Sequence, residues 1–159
     1  MGRRVLTALA VALTGCLLTA AGAGPSGAAT APAMAKPTVR LAATNLGEIL
    51  VDRSGYTVYL FTRDRRRQDR CAQMSGCLGV WPALTVSGKP VAGAHVKRSL
   101  LGTIKFHGTL RQVTYAGHPL YTYRGDFRPR STDYAGTFEY GGTWYPVNPA
   151  GRAVGSSGL

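Results

Sequence analysis

The chain has 159 residues, with 19 Lys and Arg against 7 Asp and Glu, a formal net charge of +12 at pH 7 and 45% hydrophobic residues. That length suits a leader followed by a single domain with one core, and no second domain is needed. His95, His107 and His118 are scattered without metal-ligand spacing, and no nucleophile motif of the G-x-S-x-G kind occurs. The chain is therefore read as a non-enzyme, with no metal or cofactor expected.

Met1 to Arg4 is a short positive segment, followed by an uncharged apolar run from Val5 to about Ala23. This is the pattern of a signal peptide, assigned to residues 1–29, and places the protein outside the cytoplasm. Two processing routes remain open. Leu13-Thr14-Gly15-Cys16 resembles a lipobox, which would put a lipid on Cys16 and hold the protein at the outer face of the cell membrane. The apolar run continues past Cys16, as in a plain secretory signal cleaved near Ala21-Gly22-Ala23 or Gly27-Ala28-Ala29. Arg3-Arg4 matches a twin-arginine signal poorly. Residues 30–44, rich in Ala, Pro and Thr, read as a flexible tether, and residues 148–159 as a tail. Loss of Arg3 and Arg4 leaves 17 of the 19 Lys and Arg against 7 acids, a net +10. Such an excess favours an anionic cell-wall polymer or membrane surface as partner, with no specific nucleic acid, or serves solubility alone.

Cys16 is consumed by either route, which leaves Cys71 and Cys77 as an even pair in an oxidising compartment. A disulfide is the natural reading. Zinc is the weaker one, since no second ligand pair follows.

Residues 45–147 read as one mainly β domain made of two repeats, 45–84 and 100–147. A shift of 62 residues places Val51 on Val113, Gly55 on Gly117, Tyr59 on Tyr121 and Asp64 on Asp126, and Trp81 answers Trp144 at a shift of 63. Each copy reads as strand, Gly-containing turn, strand: 48–52 into 56–62, and 111–115 into 118–123. Tyr59 and Phe61 share one face of their strand, Val58 and Leu60 the other, and neither face is polar. Two pseudo-repeated antiparallel hairpins packed as a small sandwich or barrel-like domain would cover both. A further hairpin is expected across Phe138–Tyr145 with Gly141-Gly142 as its turn, and one short helix around Val96–Leu101.

The element Y-x-[FWY]-x-x-D occurs as Tyr59-Leu-Phe61-Thr-Arg-Asp64 and again as Tyr121-Thr-Tyr123-Arg-Gly-Asp126. With Cys71, Cys77, Trp81-Pro82 and Gln112 to Tyr121, the chain resembles the family of bacterial secreted repeats and predicted lipoproteins defined by that motif. The resemblance implies an extracytoplasmic location, a repeated architecture and lipidation. It implies no activity.

Asp64 and Asp126, where their strands end, are read as organisers of the following loops, with a ligand cleft shared by the two copies as the sharper alternative. Their flanking arginines are expected to lower their pKa and make them poor proton donors. A basic loop follows each: Arg65, Arg66, Arg67 and Arg70 in the first copy, Arg128 and Arg130 in the second. These are either solvated faces or, if the copies are related by a pseudo-twofold, a guanidinium patch on one rim that binds an anion. The other class of function is an extracytoplasmic redox or cofactor-binding protein using the Tyr-rich face and the Cys71/Cys77 pair, which would require a readily reducible bond.

Overall fold

The two repeats exchange their last strands. In the computed structural model, which describes Gly2 and residues 36–155, β1 (Val39–Thr44) and β2 (Gly47–Asp52) form an antiparallel hairpin with Val39 opposite Asp52. β3 (Tyr59–Phe61) follows, then a 3-10 turn (Cys71–Gln73), a short helix α1 (Cys77–Val80) and β4 (Thr85–Val86). A second 3-10 turn (Arg98–Leu100) leads into β5 (Leu101–Lys105), β6 (Arg111–Tyr115) and β7 (His118–Pro119), and β8 (Thr137–Glu139) and β9 (Gly142–Pro146) close the chain. All strand pairs between these elements are antiparallel, in three sheets: β1-β2, β3-β9-β8, and β4-β6-β5 with β7 on β6. The protein is mainly β and is not a closed barrel.

In the first copy the N–H of Val58 donates to Leu50, and the third member of the ring is Val147 from the end of the second copy, bonded to both. In the second copy Leu120 donates to Val113, and the third member is Leu84 from the end of the first copy. Each hairpin is thus completed by the other repeat's terminal strand, and neither 45–84 nor 100–147 is a closed unit by itself. The same bonds correct the register of the repeat: before the turns, Leu50 rather than Val51 stands where Val113 stands. The cause is one extra residue in the first turn. Ala116 and Gly117, at φ 50° and 85°, make a two-residue turn, whereas Asp52 spans a longer one through bonds from its carboxylate to Ser54 N and Tyr56 N at 2.8 and 2.9 Å.

Alternation along β3 sends its two faces into two cores, as its apolar pattern requires. Val58 and Leu60 join Val39, Leu50, Val113, Leu120 and Val147 in an aliphatic core. Tyr59 and Phe61 join Trp81, Tyr121, Trp144 and both cysteines in an aromatic one. Burying each large side chain supplies about 1.5–3 kcal/mol relative to exposure.

Several boundaries differ from expectation. Residues 39–44, assigned to the tether, are β1, because Val39 is fully buried and Thr38 N–H bonds Val91 O at 2.7 Å. The start of the tail folds back: Asn148 Oδ1 accepts from Ala150 N and Arg152 N, and Val154 N–H reaches Pro146 O. Around Val96–Leu101 there is a single 3-10 turn, while the α-helical turn is α1, downstream of the disulfide loop. The last hairpin turns at Tyr140-Gly141, with φ 54° and 71°; Gly142 lies in β9, where an added Cβ would sit 2.6 Å from the Phe61 ring. The leader at 1–29 with its lipobox alternative at Cys16, residues 30–35 and residues 156–159 lie outside the described residues, Gly2 apart.

Candidate ligand-binding site

Tyr59 and Tyr121 meet at the centre of the molecule, where each N–H donates to the other's carbonyl at 2.9 and 3.0 Å. Below them Trp81 and Trp144 stack at 4.1 Å with 2° between planes. Tyr59 meets Trp81 edge-on at 5.2 Å, as Tyr121 meets Trp144 at 5.1 Å. Phe61 stacks on Trp144 at 4.1 Å, and Tyr123 tilts over Trp81 at 4.2 Å. These matched contacts relate the copies by a pseudo-twofold through the tyrosine pair. Edge-to-face and offset arrangements place ring edges against ring faces, which is their favourable electrostatic geometry.

The phenols cross between copies. Tyr59 Oη donates to Asp126 at 3.1 Å, and Tyr121 Oη lies 2.8 Å from Asp64 Oδ2 and 2.8 Å from Asp69 Oδ1. One hydroxyl proton cannot serve both carboxylates at once, so the Tyr121 phenol donates to Asp64 or to Asp69 in turn. Burial pushes Asp64 up to about 7, opposed by the bond from Arg70 N–H at 2.7 Å, and burial pushes Asp126 up to about 6. The expected lowering by neighbouring arginines is therefore corrected: desolvation is the largest influence on both carboxylates, and at Asp64 it outweighs the opposing charge of Arg70. Both phenols are raised by burial first, then by the facing carboxylates. Asp64 does organise its loop, through Arg70 N–H six residues on.

The two basic loops cap the other copy's turn. Arg67 N–H donates to Gly117 O at 2.7 Å, and Arg130 N–H to Gly55 O at 2.9 Å; Arg67 and Arg130 share φ near 60°. A Cβ on Gly117 would meet the Arg66 guanidinium at 3.2 Å, and one on Gly55 would meet Pro129 at 3.3 Å, so close approach as well as positive φ requires glycine at both turns. Because Tyr59 and Tyr121 run antiparallel, these turns lie at opposite ends of the tyrosine pair. The loops therefore do not share one rim, a consequence of the crossed pairing that a linear comparison of the copies does not contain. Arg128, in the second loop, pairs with Asp133 at 3.0 Å.

The first loop has no such pairing among the described residues. Arg63, Arg65 and Arg70, with Gln73 and Met74, line a hollow of about 410 Å³. On the other flank of Gln73, Arg67, Lys105, His107 and Arg111 line a cleft of about 530 Å³, in which Asp69 is the one acid. Lys105 and Arg111 stand directly opposite each other in the β5-β6 register, a like-charge pair that costs folding energy unless an anion lies between or beside them. Arg63, Lys105 and Arg111 are absent from the sequence-based candidates. For Lys105 and Arg111 the signal is a charge asymmetry, since residues 70–125 contain no Asp or Glu.

Cys71 and Cys77 form a disulfide, both fully buried in the aromatic core, so neither sulfur is accessible to a thiol partner in the folded protein. His118 is half-buried, and desolvation and then Arg66 lower its pKa, leaving it neutral near pH 7. His95 is exposed at φ 61° in a loop.

Two hairpin units, interlocked by exchanged strands and closed by one disulfide, define a two-repeat β module. The chain belongs to the family of secreted repeats of unknown function: that family's model matches residues 41–85 and 108–148, over half of its length, one match for each copy. Searches of curated proteins and of solved structures found no match.

Proposed function

We propose that this extracytoplasmic protein is a non-catalytic envelope module that binds an anionic wall polymer through one end of the domain. Arg63, Arg65 and Arg70 take one charged group, and Arg67, Lys105 and Arg111 the next. Two adjoining hollows with six cations and one carboxylate carry this reading. Guanidinium groups give parallel N–H donors suited to phosphate oxygens, and spaced hollows suit a ligand that repeats its charge. The second loop, with Arg128 held by Asp133, contributes less, and Arg130 serves chiefly to cap the Gly55 turn. The buried, hydrogen-bonded Asp64 and Asp126 act as scaffold in this reading.

The test is binding of the mature chain to poly(glycerol phosphate), followed by calorimetry at rising salt. Exposed charge–charge contacts are screened at a Debye length of about 3 Å in 1 M salt, so affinity is expected to fall at least about tenfold between 0.05 and 0.5 M. Arg65→Ala with Arg70→Ala lowers it further, and Arg128→Ala does little. Salt-independent binding, or none, overturns the reading; binding to anionic vesicles but not to the polymer transfers the same surface to the membrane.

A further inference from the structure

A third cleft, on the other side of Arg111, differs in what lines it. Half-buried Pro90, Val91 and Ala92 face Leu101 of β5 around about 710 Å³, and Lys89, Arg98 and Arg111 stand among them. No acidic side chain lines the space. Arg111 is oriented by its Nε bond to Thr103 Oγ1 at 2.7 Å, and none of the three cations has a carboxylate partner among the described residues. The apolar wall is built before any ligand arrives. Val91 N–H donates to Thr38 Oγ1 at 3.0 Å, Val91 O accepts from Thr38 N–H at 2.7 Å, and Ala92 bridges Val39. A wall stitched into the core in this way needs little ordering on binding.

Free phosphate has nothing to lay on Val91 and Leu101, and a neutral apolar molecule leaves three cations without a counterpart. We propose that this cleft holds a single-chain anionic amphiphile, its alkyl chain against Pro90, Val91, Ala92 and Leu101 and its carboxylate or phosphate head at Lys89, Arg98 and Arg111. The volume is that of an ordinary small-molecule site, and a mostly apolar lining with a few placed polar groups is the usual composition of one. The site shares Thr103 and Arg111 with the Lys105 cleft but no residue with the hollow of Arg63, Arg65 and Arg70, so variants of that hollow separate the two proposals.

The experiment is an NMR titration of the mature chain with dodecanoate and with dodecyl phosphate, each below its micelle concentration, and with octyl glucoside and inorganic phosphate as partial probes. Saturable shifts at Val91, Ala92, Leu101 and Thr103 are expected with both anions, and the stronger of the two identifies the head group. Lys89→Ala with Arg98→Ala weakens binding about tenfold through loss of charge-assisted contacts. Val91→Glu abolishes it while the rest of the spectrum keeps its dispersion, and Arg63→Ala with Arg65→Ala leaves it unchanged. No saturable shift with either anion overturns the proposal, as does equal affinity for octyl glucoside, equal shifts with inorganic phosphate, or binding confined to anionic vesicles.

Discussion

The phenol of Tyr59 is bonded to Asp126 and that of Tyr121 to Asp64, so the motif Y-x-[FWY]-x-x-D closes between copies and never within one. The backbone explains why. Tyr59 and Tyr121 are paired antiparallel, which carries the residues after each tyrosine toward the turn that precedes the other. An aspartate five residues on therefore arrives beside the opposite phenol. The motif is a clasp for two interlocked hairpins, and Asp64 also holds the first arginine loop through Arg70 N–H.

The clasp predicts a pattern of coupling. In double-mutant cycles followed by denaturant unfolding, Tyr59→Phe is expected to couple to Asp126→Asn by about 1 kcal/mol, and Tyr121→Phe to Asp64→Asn by a similar amount. Coupling of Tyr59 to Asp64 should be near zero. The reverse pattern would mean that each copy closes on itself.

Stability should fall as pH rises through neutrality. Asp64 and Asp126 are raised to about 7 and about 6 in the folded protein, above the carboxylate value of 3.8 that the unfolded chain keeps. The folded state thus holds more protons between these values, and the stabilisation, complete below pH 3.8, is lost as pH climbs through 6 and 7. Thermal unfolding at pH 5 and pH 8 should give the higher Tm at pH 5. Asp64→Asn should flatten the difference.

Replacing Cys71 and Cys77 by Ser is expected to cost about 2–2.5 kcal/mol, the chain-entropy value for a seven-residue loop. Because both sulfurs are buried, reduction of the native protein by dithiothreitol should follow unfolding and not precede it. Fast reduction at low denaturant would return the pair to the redox reading.

Gly142→Ala should destabilise by about 1–3 kcal/mol through overpacking, since the new methyl meets Phe61 at 2.6 Å in the stacked aromatic core. Near-ultraviolet circular dichroism would register the disturbed tryptophans. A neutral effect would mean that the ring can move aside.

Arg65→Ala and Arg128→Ala should each change stability by less than about 0.5 kcal/mol, Arg128 despite its ion pair with Asp133, because exposed pairs contribute little. This separates loss of binding from loss of fold in these two variants.

Local patterns were sufficient for much of this architecture. Alternation in Tyr59–Phe61, the glycines at 55 and 117 and the paired Trp81 and Trp144 identify strands, turns and a duplicated aromatic core without coordinates, because each depends on a few neighbouring residues. The extra residue in the Asp52 turn, the Tyr140-Gly141 turn and the strand at 39–44 escaped, because pairing partners far along the chain choose among locally similar options. The sequence alone determined that two related hairpins, a disulfide and a cation-rich, acid-poor surface exist in this protein. Tertiary structure decided which copy each tyrosine, aspartate and final strand serves, since an antiparallel crossing at Tyr59 and Tyr121 exchanges them. By sending the two basic loops to opposite ends, that crossing also left Arg63, Arg65 and Arg70 lining a hollow with neighbours that no linear motif connects.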